Sequence, residues 1–309
     1  TYITWALTER CNMTCKHCSF GALTPELNHQ ERLAVATKLA ESGTWGVSLI
    51  GGEPTLVDNL AEYVEILARG KRYTSLGTSG FRMGRLLPEL LKAGLNNIVF
   101  SMDHFVADEH DAFRGRPGLF EEASEAMARC RSHGAKRPRV QVRTTMHRGN
   151  FEVMPEIIDY WRSRADNVVV QVVQNNGIHK VRDEAVLFEP GDRTRLEAII
   201  QRLQKSYPAL RTRYFDLMAD YLFEPEALRK RLNFRCRVVP GASLLIMPQG
   251  DMRLCYGHEE STVGNIMHHD LAEAWRSQAT CGIRQHMQSR ELKCMCWEQT
   301  NSLNLNLVG

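Results

Sequence analysis

No run in this sequence approaches the ~20 consecutive apolar residues of a membrane-crossing helix, and no basic-then-apolar leader opens it. A soluble protein with a cytoplasmic address is expected. An excess of one charge is missing too: 39 Lys and Arg stand against 36 Asp and Glu, a net of +3, with the two signs interspersed. That balance indicates no extended footprint for nucleic acid, and the densest basic patch, Lys136, Arg137 and Arg139, reads as a solvated loop. The motifs of hydrolytic chemistry are absent. Eleven histidines and many serines form no G-x-S-x-G elbow, no HExxH helix and no Walker loop, which removes motif support for hydrolases and nucleotide hydrolysis. There is no internal repeat and no low-complexity segment.

What is abundant is cysteine. Nine in 309 residues, without a secretory signal, argue for a reducing compartment in which thiols stay free to bind metal. Three of them, Cys11, Cys15 and Cys18, fall in TERCNMTCKHC directly after an apolar strand pattern. Thiolates are the soft ligands of iron-sulfur clusters, and cysteines a few residues apart let one loop wrap the metal. Three ligands satisfy three irons of a cubane and leave the fourth open, the condition of a reactive rather than a structural site. Zinc and a disulfide are the alternatives. A zinc site would need a fourth ligand from His17 or from a distant residue, and a bridge between Cys15 and Cys18 would leave Cys11 to find another partner.

The second motif is Gly51-Gly52-Glu53-Pro54, after the apolar run WGVSLI at 45–50. Two glycines allow close backbone approach to a ligand, and a carboxylate can pair with an ammonium group; alone, the turn would also fit an ordinary strand-to-helix connection. Together the two motifs resemble the radical S-adenosylmethionine enzymes, whose CxxxCxxC loop follows the first strand of a partial barrel. The position before the last cysteine is often aromatic in that family; here it is His17. The resemblance implies a 4Fe-4S cluster whose open iron chelates the amino and carboxylate groups of S-adenosylmethionine, with the Gly51–Pro54 motif at the methionyl amine. Reductive cleavage then yields a 5'-deoxyadenosyl radical. An external electron donor such as flavodoxin or ferredoxin is implied as partner.

Strand and helix patterns alternate along the chain, as in a parallel sheet covered by helices. Strand patterns occupy 2–8, 45–50, 73–78, 97–102, 138–145 and 167–174. Asn28 with Glu31 forms a capping box before an amphipathic run that Gly43 can stop, and weaker helical patterns cover 58–69, 84–93, 118–132, 151–163 and 191–205. Six such units with right-handed crossovers make an α/β fold, a partial (β/α)6 TIM-like barrel that binds ligands at the carboxyl ends of its strands. With 43% hydrophobic residues the chain can bury a large core and a smaller one. The expected division is a barrel at 1–205, a connecting helical segment at 206–235 and a small iron-sulfur domain at 236–309. Strand ends offer further candidates. Ser101 and Asp103 resemble the ribose-contacting positions of the family, Thr78 and Ser79 end the third strand, and Arg143 on the fifth stands where the family often faces the cosubstrate carboxylate or the substrate. Asp108, His110 and Asp111 read as solvated.

The last quarter holds Cys236, Cys255, Cys281, Cys294 and Cys296. Cys236-x13-Gly250-x4-Cys255 spans a hairpin pattern, SLLIMP then a PQGD turn then MRLCYG, and a helix capped by Asp270 leads to Cys294-Met-Cys296. This resembles the SPASM and shorter twitch domains appended to radical S-adenosylmethionine enzymes. The resemblance implies one auxiliary iron-sulfur cluster on Cys236, Cys255, Cys294 and Cys296, of the 4Fe-4S type, and a four-cysteine zinc site is the alternative. Cys130 lies on the apolar face of a helix and reads as core. Cys281, after an amphipathic helix, reads as a buried thiol by default, or else as a cluster ligand or a hydrogen-atom donor.

The implied reaction is hydrogen abstraction from an unactivated C–H bond. If the auxiliary cluster takes an electron from the substrate radical, the outcome is dehydrogenation; if Cys281 returns a hydrogen atom, it is epimerisation. A small polar substrate such as a sugar or aminoglycoside is favoured, because the chain opens almost at its first strand with no leader-binding domain. Maturation of a peptide by epimerisation or crosslinking is the alternative within the family, and a non-catalytic iron-sulfur redox sensor is the alternative outside it.

Overall fold

The structure, a computed structural model, describes residues 2–19, 25–134, 137–175, 180–232, 243–256 and 259–287. Six parallel strands, β1 (Tyr2–Ala6), β2 (Gly46–Ile50), β3 (Tyr73–Thr78), β4 (Asn97–Ser101), β5 (Arg139–Met146) and β6 (Asn167–Val172), lie side by side in chain order. Each falls within a residue or two of its sequence pattern. Crossovers of one hand between sequential neighbours put every helix on the same face. That face is apolar: Ile3, Trp5, Val47, Leu49, Leu76, Ile98, Phe100, Val140, Val142, Val170 and Val172 are all buried. The alternate positions Thr4, Ser48, Ser101, Gln141, Thr145 and Gln171 are half-buried, and Arg143 is exposed. Period-two alternation therefore gives the sheet an apolar outer face and a mixed inner one, where Ile50, Val99 and Val169 stand among the polar residues.

The helices on the outer face are α1 (His29–Glu41), α2 (Leu60–Arg69), α3 (Met83–Lys92), α4 (Ala107–Arg114), α5 (Leu119–Ser132), α6 (Met154–Arg162) and α7 (Arg193–Ser206). The capping box at α1 forms as expected, with Glu31 N–H donating to Asn28 Oδ1 (3.1 Å) and Asn28 N–H to Glu31 Oε2 (2.7 Å). Helix α4 occupies a segment read as a solvated loop. Its sequence, ADEHDAFR, is nearly all polar, yet His110 and Phe113 are buried and Asp111 accepts from the N–H groups of Gly118 and Phe120 at the start of α5. Arg137 is likewise not a free solvated cation. Both its terminal nitrogens donate to Asp166 at 2.6 Å, and this pairing holds the Asp166 carboxyl down at about 2.

Past α7 the chain runs through three short helices, α8 (Arg213–Asp216), α9 (Met218–Phe223) and α10 (Pro225–Arg231), before the expected hairpin. Its strands are β7 (Ser243–Ile246) and β8 (Asp251–Arg253), and β9 (Thr262–Asn265) pairs with β8. Gly250 takes φ +93 in the turn, a conformation that favours glycine. The hairpin joins the barrel's own sheet, because β7 runs parallel to β1 and pairs with it from Tyr2 to Trp5. The sheet thus has nine strands among the described residues, in the order β6-β5-β4-β3-β2-β1-β7-β8-β9. No described helix is long and apolar enough to cross a membrane.

Replacing Asn28 by Ala removes the side-chain acceptor at the start of α1 and strands the Glu31 amide. Chemical denaturation should show a loss of about 1 kcal/mol, with the m-value unchanged.

Candidate functional site

The cysteine loop leaves β1 through a tightly held exit. Glu26 accepts from Thr8 Oγ1 and Glu9 N–H, both at 2.7 Å, and from Arg32, whose guanidinium also donates to Leu7 O at 3.0 Å. Further along, the loop is received by the C-terminus of α4. The carbonyls of Phe113 and Arg114, orphan acceptors at a helix end, take the N–H groups of Lys16 (3.0 Å) and Thr14 (3.2 Å) on either side of Cys15. On the other side Lys16 O accepts from Arg182 and Asp183 N–H. Cys11 is exposed, Cys15 buried and Cys18 half-buried; none of the three is in a disulfide.

The donor set fits an iron-sulfur cubane. Burial pushes the Cys11 thiol up to about 11 and raises that of Cys15 as well, so a thiolate here needs a positive partner such as a metal. Asn12 Oδ1, between the first two cysteines, is buried without a hydrogen-bond partner among the described residues. Among those residues no three His, Cys, Asp or Glu side chains converge on one point as a single ion would require. A cubane takes one thiolate per iron and spreads its ligands further apart. His17 is stacked flat on Phe113, ring centroids 5.0 Å apart.

The Gly51-Gly52-Glu53-Pro54 turn lies against this exit. Gly52 N–H donates to Thr8 O (2.8 Å) and Glu53 N–H to Arg10 O (2.9 Å). A Cβ on Gly51 would sit 2.5 Å from Thr8 O, and one on Gly52 2.4 Å from Arg10 O. The close approach that glycine allows is used here by the chain's own exit from β1, at Thr8 and Arg10. Glu53, 1% exposed, accepts five hydrogen bonds, from Thr55 N–H and Oγ1, Thr78 Oγ1, and Ser79 N–H and Oγ. Thr78 and Ser79 thus meet Glu53, and the three tie the ends of β2 and β3 together. Pro54 opens a 3-10 turn after it.

Asp103 lies beyond the end of β4 and is 1% exposed. Its Oδ2 accepts from Arg114 Nε at 2.6 Å and its Oδ1 from Thr145 N–H at 2.7 Å, while its N–H donates to His110 Nδ1 and its carbonyl accepts from Asn150. Arg114 in turn reaches Cys15, Nη1 to Sγ 3.9 Å. Sequence reasoning missed Arg114, His110, Asn150 and His147; only their presence in the polar stretch after the fourth strand and at the end of the fifth hinted at them. His147 stacks on Phe113 at 4.1 Å, so that His17, Phe113 and His147 form one pile of parallel rings. Burial pushes His110 and His147 down to about 4. A cavity of about 150 Å³ opens beside them, with Lys16, Asp103, His104 and Asn150 in its wall. Ser101 and Arg143 are register partners on the inner face.

Of the C-terminal cysteines, Cys236, Cys294 and Cys296 lie outside the described residues. Cys255 follows β8, half-buried, its N–H donating to Ser261 Oγ at 3.1 Å. Arg253 stands level with Thr4 through their shared neighbour Leu245, so Cys255 lies toward the amino end of β1, opposite the end that carries Cys11. Cys281 departs from the expected burial: it is exposed, in the helix Gln278–Met287. Cys130 is fully buried, as expected.

A methyl group on Gly52 has nowhere to go but into backbone, so Gly52→Ala should cost about 1–3 kcal/mol and lower the iron retained per chain after anaerobic reconstitution. Gly43→Ala, with nothing within 4 Å of the new carbon, should change neither. The buried histidines set an acid limit. Above pH ~6.5 both folded and unfolded chains hold them neutral; as pH falls toward 4 only the unfolded chain takes up protons, so stability drops, by up to about 1.4 kcal/mol per pH unit for each histidine. His147→Phe should flatten the pH slope of the denaturation free energy between 6.5 and 5 by one histidine's share.

Residues 5–160 match the model of the Radical SAM superfamily, and residues 236–298 match that of an iron-sulfur cluster-binding domain, SPASM. Among curated relatives, Fe-coproporphyrin III synthase of Methanosarcina barkeri is 30% identical over 162 residues, 51% of this chain and 40% of that protein. Molybdenum cofactor biosynthesis protein 1 of Mus musculus is 32% identical over 168 residues, 52% of this chain and 26% of the other. The chain therefore spans well under half the length of either. In fold it is similar to anSMEcpe, solved with bound AdoMet and the Cp18Cys peptide, at a TM-score of 0.67 and 15% identity, covering 93% of this chain and 83% of that one. A 4Fe-4S cluster and S-adenosylmethionine go with the first domain and an auxiliary iron-sulfur cluster with the second, and the chain belongs to the radical SAM superfamily, with a C-terminal SPASM domain.

Proposed function

We propose that this chain is a radical SAM enzyme that oxidises a small polar substrate, such as a sugar or an aminoglycoside, at an unactivated C–H bond. Cys11, Cys15 and Cys18 hold the catalytic cluster, and Cys255 joins Cys236, Cys294 and Cys296 around the auxiliary one. When bound, the first cluster supplies the electron that splits S-adenosylmethionine into methionine and a 5'-deoxyadenosyl radical, which takes a hydrogen atom from the substrate. The chain's own residues hold the reactants. Gly51 to Glu53 fix the loop that carries the cysteines, and Ser101 at the end of β4 and its register partner Arg143, midway along β5, offer a hydroxyl and a cation.

The observation that carries the reading is the row of polar side chains across the inner face. Thr4, Ser48, Ser75 and Asn97 form one register row across β1 to β4, with Asn97 Nδ2 donating to Ser75 Oγ at 2.7 Å. Gln141, Thr145 and Gln171 continue the lining on β5 and β6. These strands place no carboxylate among those positions, which suits a neutral, hydroxyl-bearing substrate or one with negative charge for Arg143. The face lies between the cysteine loop at one end of the strands and Cys255 at the other. Oxidation is favoured over epimerisation because Cys281, the thiol an epimerase would use as hydrogen donor, lies exposed on a helix.

Anaerobically reconstituted protein with dithionite and S-adenosylmethionine should release 5'-deoxyadenosine and methionine, and Cys15→Ala should abolish both. A protein with full iron content that releases neither is a redox sensor instead. Cys255→Ala should lower iron and sulfide by the auxiliary cluster's share. Turnover in deuterated water separates the outcomes: an oxidised product without solvent deuterium supports dehydrogenation, and deuterium without net oxidation an epimerase.

A further inference from the structure

We propose that Arg114 tunes the reduction potential of the N-terminal cluster, its guanidinium donating to the Cys15 sulfur while Asp103 aims it and balances its charge. Arg114 is 8% exposed and Asp103 1%, so this is a pair shielded from water, where one charge acts far more strongly than at a surface. The geometry is over-determined. Asp103 Oδ2 takes both Nε and Nη2 of Arg114, each at 2.6 Å, which leaves Nη1 pointing at Cys15 Sγ, 3.9 Å away. Asp103 itself is pinned by Thr145, His110 and Asn150. The backbone carbonyl of Arg114 receives Thr14 N–H, so Arg114 holds the loop beside Cys15 with its main chain and faces the sulfur with its side chain.

Hydrogen bonds to cluster sulfurs and nearby charge are among the factors that set the potential of an iron-sulfur cluster. A cation beside a thiolate stabilises the extra electron of the reduced state, and a carboxylate opposes it. The two variants that break the pair must therefore move the potential in opposite directions. A residue that served only to hold the fold would give no such pattern.

This rests on the reading of Cys11, Cys15 and Cys18 as the cluster ligands. The experiment is a redox titration of the reconstituted full chain, followed by the electron paramagnetic resonance signal that changes when S-adenosylmethionine is added. Arg114→Gln should lower the midpoint by a tenfold change in the one-electron equilibrium, about 59 mV. Asp103→Asn should raise it, and Arg114→Lys, which keeps the charge, should stay closer to the wild type than Arg114→Gln. Should Arg114→Gln fail to hold iron, the upward shift of Asp103→Asn and the retained value of Arg114→Lys still decide the matter. Midpoints that all coincide with the wild type, or that move together, overturn the proposal. Absence of the responsive signal from the wild type would instead overturn the ligand reading.

Discussion

The cysteine loop is clasped at two places where no side chain fits. On one side Gly51 and Gly52 press against the carbonyls of Thr8 and Arg10; on the other Gly115, at φ +69, would put a Cβ 1.9 Å from Thr14 Oγ1. These contacts are backbone against backbone or against a side chain that is itself hydrogen-bonded. They fix the loop's path more firmly than side-chain packing could, since main-chain atoms cannot rotate out of the way. Everything else at the site depends on that path. The orphan carbonyls of α4 find their donors only if Thr14 and Lys16 run past the helix end, and Cys15 meets Arg114 only in consequence.

How much of this could be read from the residues follows the range of each interaction. The six parallel strands were legible because alternation of apolar residues is local, and so was the capping box of α1, whose partners are three residues apart. Helix α4 was not. Its stripe of His110, Phe113 and Arg114 is too short and too polar to stand out, and its burial comes from neighbours distant in sequence, the cysteine loop among them. Glu53 stood out in its motif, but its partners Thr78 and Ser79 lie at the end of another strand, and only the register of β2 against β3 brings them together. The hairpin at 243–253 was legible as a hairpin. Its seat beside β1 was not, because parallel pairing between distant segments leaves no periodic mark.

Buried ion pairs rarely stabilise a fold, since desolvation of both charges offsets most of their attraction. For Asp103 and Arg114 that cost is offset by further hydrogen bonds around the pair. Asp103 accepts from Thr145 as well as from Arg114, and its own N–H and carbonyl are engaged by His110 and Asn150. The arrangement keeps Arg114 charged and keeps the Asp103 carboxyl below its ordinary range, despite complete burial, through the adjacent guanidinium. A network held this rigidly fixes a direction in space, and the direction it fixes is toward sulfur.

The two faces of the sheet divide the work of the chain. The outer face buries valine, leucine, isoleucine and aromatic rings under the helices and supplies the driving force for folding. The inner face contributes less of that kind: Thr4, Ser48, Gln141 and Gln171 are half-buried and polar, Arg143 is exposed, and Ile50, Val99 and Val169 stand between them half-buried. If stability alone shaped the sheet, the same alternation would carry apolar residues inward to fill the barrel, as side chains do in closed barrels of this type. A row of threonine, serine and glutamine on that face forgoes part of that burial. Among the described residues, Cys11 stands beyond one end of this face and Cys255 toward the other.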